Sequence, residues 1–250
     1  MEGETPTKST ATRRSFLEGG QTQAENWVVH ELMRLDPVLA DSVERYDKSI
    51  SANSPKTVTF NTLAKGIAES WGDELRTDKR MVASQISAAL RMVRNEVPEW
   101  GTLPFRERRQ ERNSKLYSQA IVHRALLRIL ADLHRQNEAD KKVGDWNRWR
   151  NMFRRLKTET YIHPAPNAWS GEFLSRDNAI FYANPGANIY QMNKRAREEQ
   201  ERLGDKFVLD PKKHLTVQNT RLSLDSMYGY LSTFLGYRRA GTDTVSAAAE

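Results

Sequence analysis

The stretch "NSKLYSQAIVHRALLRILADLHRQ", residues 113–136, decides the fold class. Its apolar residues Leu116, Ile121, Leu126, Leu127, Leu130 and Leu133 recur at helical rather than alternating spacing. The pattern predicts a helix of about six turns, started by an Asn113 or Ser114 cap. Its apolar surface is wide, which suits a central core helix contacted from more than one side.

Working outward toward the N-terminus, Val82, Ile86, Ala89, Leu90, Val93 and Val97 form one apolar stripe on a helix begun by Thr77 or Asp78. Pro98 and Gly101 end it in "VPEWGTLP". Upstream, "DKSISANSPKTVTFNTLAKGI" (Asp47–Ile67) admits two readings. Val58 and Phe60 alternate as in a strand, whereas Phe60, Leu63, Ala64, Ile67 and Trp71 keep the helical period. The longer pattern favours a polar loop feeding a helix capped by Thr59 or Asn61. "AENWVVHELMRL" predicts a first helix. Asp36 then caps a second, with Pro37 at its first position and Val38, Leu39, Val43 and Tyr46 along it.

Toward the C-terminus, "DWNRWRNMFRRLK" places Trp146, Trp149, Phe153 and Leu156 on one helix face. Residues 161–187, rich in Pro, Asn, Gly and aromatics, predict an ordered loop region. Any sheet is expected within Phe173–Asn184, around "AIFYAN". "NIYQMNKRAREEQERLG" reads as a polar surface helix, and "LSLDSMYGYLSTFLGY" as a helix closed by Gly236. The expected architecture is mostly α: an irregular multi-helix bundle with at most short strands. Residues 24–237 are expected to form a single helical domain. The polar, aperiodic residues 1–23 and 238–250 read as a flexible N-terminal segment and tail.

Composition narrows the function. Of the 250 residues, 38% are hydrophobic and 28% charged, and cysteine is absent. Without thiols there is no disulfide framework and no thiolate zinc site. No run of roughly 18 apolar residues suggests a membrane span, and "MEGETPTKSTATRRSFLEGG" has no signal-peptide core. A cytoplasmic location is expected. The formal charge is +7, from 39 basic and 32 acidic residues, and the pI is near 9.6. That balance favours an anionic partner, nucleic acid first.

No phosphate-cradling loop, dinucleotide fingerprint or nucleophile elbow occurs. His30, His123, His134, His163 and His214 form no close pair with zinc-ligand spacing. No catalytic residue, cofactor or metal is therefore expected. The basic residues carry more. Arg150, Arg154 and Lys157 fall down one flank of the Trp/Phe face, with Arg148 and Arg155 on the far side. These five residues are the candidate DNA contacts, because guanidinium forks grip phosphate oxygens. A solvated charged face on a core helix is the alternative. In "RERRQERNSK", Glu107 and Glu111 offset Arg106, Arg108, Arg109 and Arg112. A helix-turn-helix through "TFNTLAKGIAESWGDELRTDKRMVASQISAAL" would need a shorter connector than Trp71–Asp78.

Read in order, "DPVLADSVERYDKSISANSPKTVTFNTLAKGI", "VPEWGTL", "RNSKLYSQAIVHRALLRI", "DWNRWRNMFRRLK" and "NAWSGEF" resemble the C-terminal half of the DndB-type, or DGQHR-domain, DNA sulfur modification-associated proteins. The resemblance runs from about Trp27 to Tyr237. The Asp-Gly-Gln-His-Arg motif that names the family does not occur, and "LEGGQTQ" is not it. The resemblance implies a truncated or split member, or one whose ParB-like half is encoded elsewhere and carried by a partner protein. By that analogy the Ser49–Thr59 loop joins the two halves; read by itself, it is a polar interhelical loop with an Asn53–Pro55 turn. The implied function is a DNA-binding or regulatory accessory protein of phosphorothioate DNA modification, non-catalytic on its own. The alternatives are a protein–protein adaptor in a defence or mobile-element cluster and a partner-dependent remnant of a ParB-like nuclease.

Overall fold

The central helix is Ala120–Ala139, and Ile121, Leu126, Leu127, Leu130 and Leu133 are all buried in it. The computed structural model describes residues 24–45, 50, 54, 56–96, 119–158, 160–162, 170–172 and 190–237. Within them the helices are α1 (Ala24–Leu35), α2 (Pro37–Ser42), α3 (Phe60–Ser70), α4 (Gly72–Thr77), α5 (Lys79–Glu96), α6 (Ala120–Ala139), α7 (Arg150–Thr158), α8 (Lys194–Leu203), α9 (Pro211–His214) and α10 (Arg221–Leu235). The fold is mostly α. One buried apolar cluster runs from Val28 to Leu235. In it α6 packs between α3 and α10, α1 lies on α3 and α5, and α7 lies on α5 and α10.

Helix ends follow local chemistry. Asp36 caps α2, its Oδ1 accepting from Leu39 N at 3.1 Å, with Pro37 next. Thr59 caps α3 by accepting from Thr62 N. Asp78 accepts from the N–H groups of Arg80 and Met81 at the start of α5. At the far end Thr220 caps α10, and Gly236 closes it at φ 71°, a left-handed position that suits glycine.

Four expectations need correction. The helix α6 starts at Ala120, not at an Asn113 or Ser114 cap. Gln119 has extended backbone (φ −83°, ψ 141°), so a helical hydrogen-bond ladder cannot run through it. The helix α2 ends at Ser42, because Val43 turns extended and pairs with Val58. The Trp71–Asp78 connector, read as too long for a helix-turn-helix, holds the short helix α4, which the sequence reading does not place. "NIYQMNKRAREEQERLG" is not one helix: Tyr190–Met192 is a strand, and α8 begins behind Asn193, which accepts from Ala196 N at 2.9 Å.

Strands also lie outside the expected Phe173–Asn184. The pair β1 (Val43–Glu44) and β2 (Val58–Thr59) is parallel, with Val43 opposite Val58. The other two pairs are antiparallel: β3 (Thr160–Ile162) with β4 (Ser170–Glu172), and β5 (Tyr190–Met192) with β6 (Leu215–Val217). At two or three residues, these runs are too short for alternation to stand out in the sequence. The readings made for residues 1–23, 97–118, 173–189 and 238–250 lie outside the described residues.

Candidate functional site

The candidate arginines sit on α7 and on the 3-10 turn Trp146–Trp149 before it. Trp146, Phe153 and Leu156 anchor this segment in the core, and Trp146 Nε1 donates to Gln85 Oε1 at 2.9 Å. That anchoring leaves the basic residues at the rim, where the structure divides them three ways. Arg150 and Arg154 share one carboxylate: their Nε atoms lie 3.1 and 3.0 Å from Glu96 Oε1 and Oε2 at the end of α5. Their side chains stay 46% and 53% exposed, while Glu96 is 11% exposed.

Arg148 turns the other way. It meets Asp140 Oδ2 at 2.7 Å and covers the Trp149 ring at 4.6 Å. Arg155 reaches toward α10, 6.0 Å over Phe234 and against Gly236. Lys157 belongs to α7, but its side chain lies outside the described residues. The flank predicted from helical spacing thus holds for Arg150 and Arg154. Arg148 and Arg155, expected on the far side, do lie away from it, each with separate partners.

The tryptophans divide similarly between core and rim. Trp71 is fully buried, donates from Nε1 to Leu127 O at 3.2 Å and stacks on His134 at 5.1 Å. Trp149 is partly exposed and donates to Asn137 Oδ1 at 3.1 Å. His134 is buried, and desolvation lowers its pKa against the opposing pull of Glu138 and Glu74. Among the described residues no group of three His, Asp or Glu side chains could hold a metal ion.

A second charged region lies where α3, α6 and the start of α10 meet. It is an open groove of about 490 Å³, lined by five basic residues (Lys65, Arg124, Arg128, Arg135 and Arg221) and by Glu69, Asp132 and Asp225 among others. Arg124, 4% exposed, forms a two-pronged pair with Glu69 at 2.7–2.9 Å and reaches Asn219 Oδ1 at 2.5 Å. Arg128 Nη1 meets Asp225 Oδ1 at 2.5 Å, and its guanidinium lies 4.2 Å over the Tyr228 ring. Tyr228 donates its hydroxyl to Asp132 Oδ2 at 2.6 Å. Burial, helped by that carboxylate, pushes the phenol pKa well above its ordinary value. Arg135 bridges α6 to Glu74 at 2.7 Å and to Ser70 O at 2.7 Å.

Sequence reasoning did not find this groove. The available signal is the spacing of Arg124, Arg128 and Arg135, which share a face of α6 that its leucines would otherwise fill. Asn219 and Arg221 arrive from far along the chain, and no local pattern announces them.

These features define a mostly helical protein with an arginine-bearing helix flank and a charged groove built on its central helix. The chain belongs to the DndB family, described as DNA-sulfur modification-associated, whose model matches residues 17–237. That match includes the landmarks from Trp27 to Tyr237 and extends upstream of them. Its role is associated with DNA sulfur modification. No curated protein and no solved structure matches the chain.

Proposed function

We propose that the protein is a cytoplasmic, DNA-binding regulatory accessory of DNA sulfur modification, non-catalytic on its own. The family match over residues 17–237 carries this reading. The flank of α7 supports it: two guanidinium groups, 46% and 53% exposed, stand together at the rim on the Glu96 carboxylate. Such a rim contacts phosphates and positions a duplex without reading its bases. No helix among the described residues is long and apolar enough to cross a membrane.

The test is a fluorescence-anisotropy titration of duplex DNA across a range of salt concentrations. Replacing Arg150, Arg154 and Lys157 together should flatten the log–log salt slope by roughly 2–3 units, at about 0.9 per phosphate contact. The loss should be similar for unrelated sequences. An unchanged slope removes α7 from the interface. A second reading, a protein–protein adaptor, is favoured by the ion pairs that already engage Arg148, Arg150 and Arg154. It predicts no duplex binding at low salt. Nuclease or nucleotide-hydrolysing turnover by the purified chain, abolished by one carboxylate or histidine substitution, would contradict the non-catalytic part.

A further inference from the structure

The groove between α3, α6 and the start of α10 has a charge surplus and a size that the fold does not require. Its lining carries five basic and three acidic residues, and Glu74 beside it pairs with Arg135, which leaves an excess of one positive charge. Two of the arginines are held by protein partners. Arg124 is locked by Glu69 and Asn219, and Arg135 by Glu74 and the Ser70 carbonyl. The other three cations differ. Lys65 and Arg221 are exposed and make no ion pair among the described residues, and Arg128, stacked on Tyr228, gives only Nη1 to Asp225.

We propose that this groove is a binding site for a phosphomonoester of nucleotide size. Lys65, Arg128 and Arg221 take the phosphoryl group, and the residues already fixed by protein partners hold the body of the ligand. Three physical arguments carry this. Two cations that make no ion pair among the described residues, Lys65 and Arg221, match a phosphomonoester dianion, whose oxygens fit guanidinium forks. A volume of about 490 Å³ exceeds what phosphate alone fills and lies in the range of small-molecule sites. Asp132, Asp225, Glu69 and Asn219 present oxygen acceptors to the same space, suited to the N–H and O–H donors of a sugar or base. Arg124 and Arg135 are already fixed by hydrogen bonds to the protein, so little ordering entropy is lost there when a ligand arrives.

The site lies apart from the α7 flank, so its failure and the failure of the DNA-binding reading are separable. Isothermal titration calorimetry on the full chain should use deoxyadenosine monophosphate, deoxyadenosine and inorganic phosphate as probes. The expected result is saturable binding of the monophosphate, weaker binding of inorganic phosphate and none of the nucleoside. The double variant Lys65→Ala/Arg221→Ala should weaken monophosphate binding by about tenfold or more, the scale of one lost charge-assisted contact. Both residues are exposed, so this variant keeps the fold, and Arg221→Lys, which keeps the charge but loses the fork, should retain part of the affinity.

Displacement of the monophosphate by a 5′-phosphorylated but not a 5′-hydroxyl oligonucleotide supports the site with a nucleic-acid end as its source. Failure of both oligonucleotides to displace supports a free nucleotide. The proposal is overturned if neither the monophosphate nor inorganic phosphate binds saturably at millimolar concentration, or if the double variant binds as well as the wild type. It is also overturned if Arg150→Ala/Arg154→Ala weakens binding equally, since that would mark non-specific attraction to net charge.

Discussion

Gly66 and Leu127 are in such close approach that a Cβ at position 66 would lie 2.7 Å from Leu127 Cδ1. The absent side chain lets α3 settle against α6. Gly66→Ala adds helix propensity worth about 1 kcal/mol, but overpacking a well-filled core costs about 1–3 kcal/mol. Net destabilisation is expected. Leu127 is 1% exposed, and Leu127→Ala should cost about 2–5 kcal/mol. In the double variant the new methyl enters the space vacated by leucine. Urea denaturation should therefore show the double variant more stable than the sum of the singles, by about 1 kcal/mol. Strict additivity would mean that the two positions do not share this space.

The buried pair of Arg94 and Asp36 ties α5 to the start of α2, and Asp36 also caps that helix. The residues are 6% and 3% exposed. Asp36→Asn can still accept from Leu39 N, yet it leaves the guanidinium without its counter-charge. Breaking one side of a buried pair costs about 3–5 kcal/mol. Combining Asp36→Asn with Arg94→Met should recover much of that loss, because no charge remains buried. Chemical denaturation of the three variants measures it. A double variant as unstable as the two singles added together would show that the pair is not the source of the cost.

These two contacts mark what the sequence could and could not reveal. Asp36–Pro37 announces a helix start by local chemistry, and the cap is there. Gly66 looks like an ordinary small residue within a helical run, because its role depends on Leu127, which arrives from another helix. The same divide governs the candidate sites. Helical spacing places Arg150 and Arg154 on one flank correctly, since that depends on α7 alone. It cannot show that Glu96 reaches both, or that Arg148 and Arg155 are drawn to Asp140 and toward Phe234. The groove is less legible still, because its walls come from three separated helices.

Acid should reveal a half-buried histidine whose Nε2 is shut off from solvent. Desolvation depresses the His123 pKa from 6.5 to about 4, partly offset by a hydrogen bond to the Thr57 backbone. The folded state therefore favours the neutral ring, while the unfolded chain takes up a proton near the ordinary value. The stabilisation is present above pH 6.5 and is lost as the pH falls through about 4. Its full size is about 3 kcal/mol. His123→Gln, which does not titrate, should have a flatter stability profile across this window. Some slope should persist from His134, whose pKa burial also lowers. A profile identical to wild type would mean that His123 titrates alike in both states.

Glu96 should act as a brake on nucleic-acid contact. Its carboxylate holds the Nε atoms of Arg150 and Arg154 at 3.1 and 3.0 Å. Any phosphate approaching the α7 flank must compete with it. Glu96→Gln removes the negative charge while keeping the size and one acceptor oxygen. Because the arginine partners are half exposed, the stability change should stay within about 1 kcal/mol. Duplex affinity at low salt should rise. The log–log salt slope should steepen by roughly one unit as one more guanidinium becomes available to phosphate. The gain must depend on the arginines: in an Arg150→Ala/Arg154→Ala background, Glu96→Gln should leave the slope unchanged. The salt titration by fluorescence anisotropy reads all three variants directly. Equal gains with and without the arginines would show that Glu96 acts only through net charge, and no gain in either background would take the α7 flank out of the DNA-binding reading.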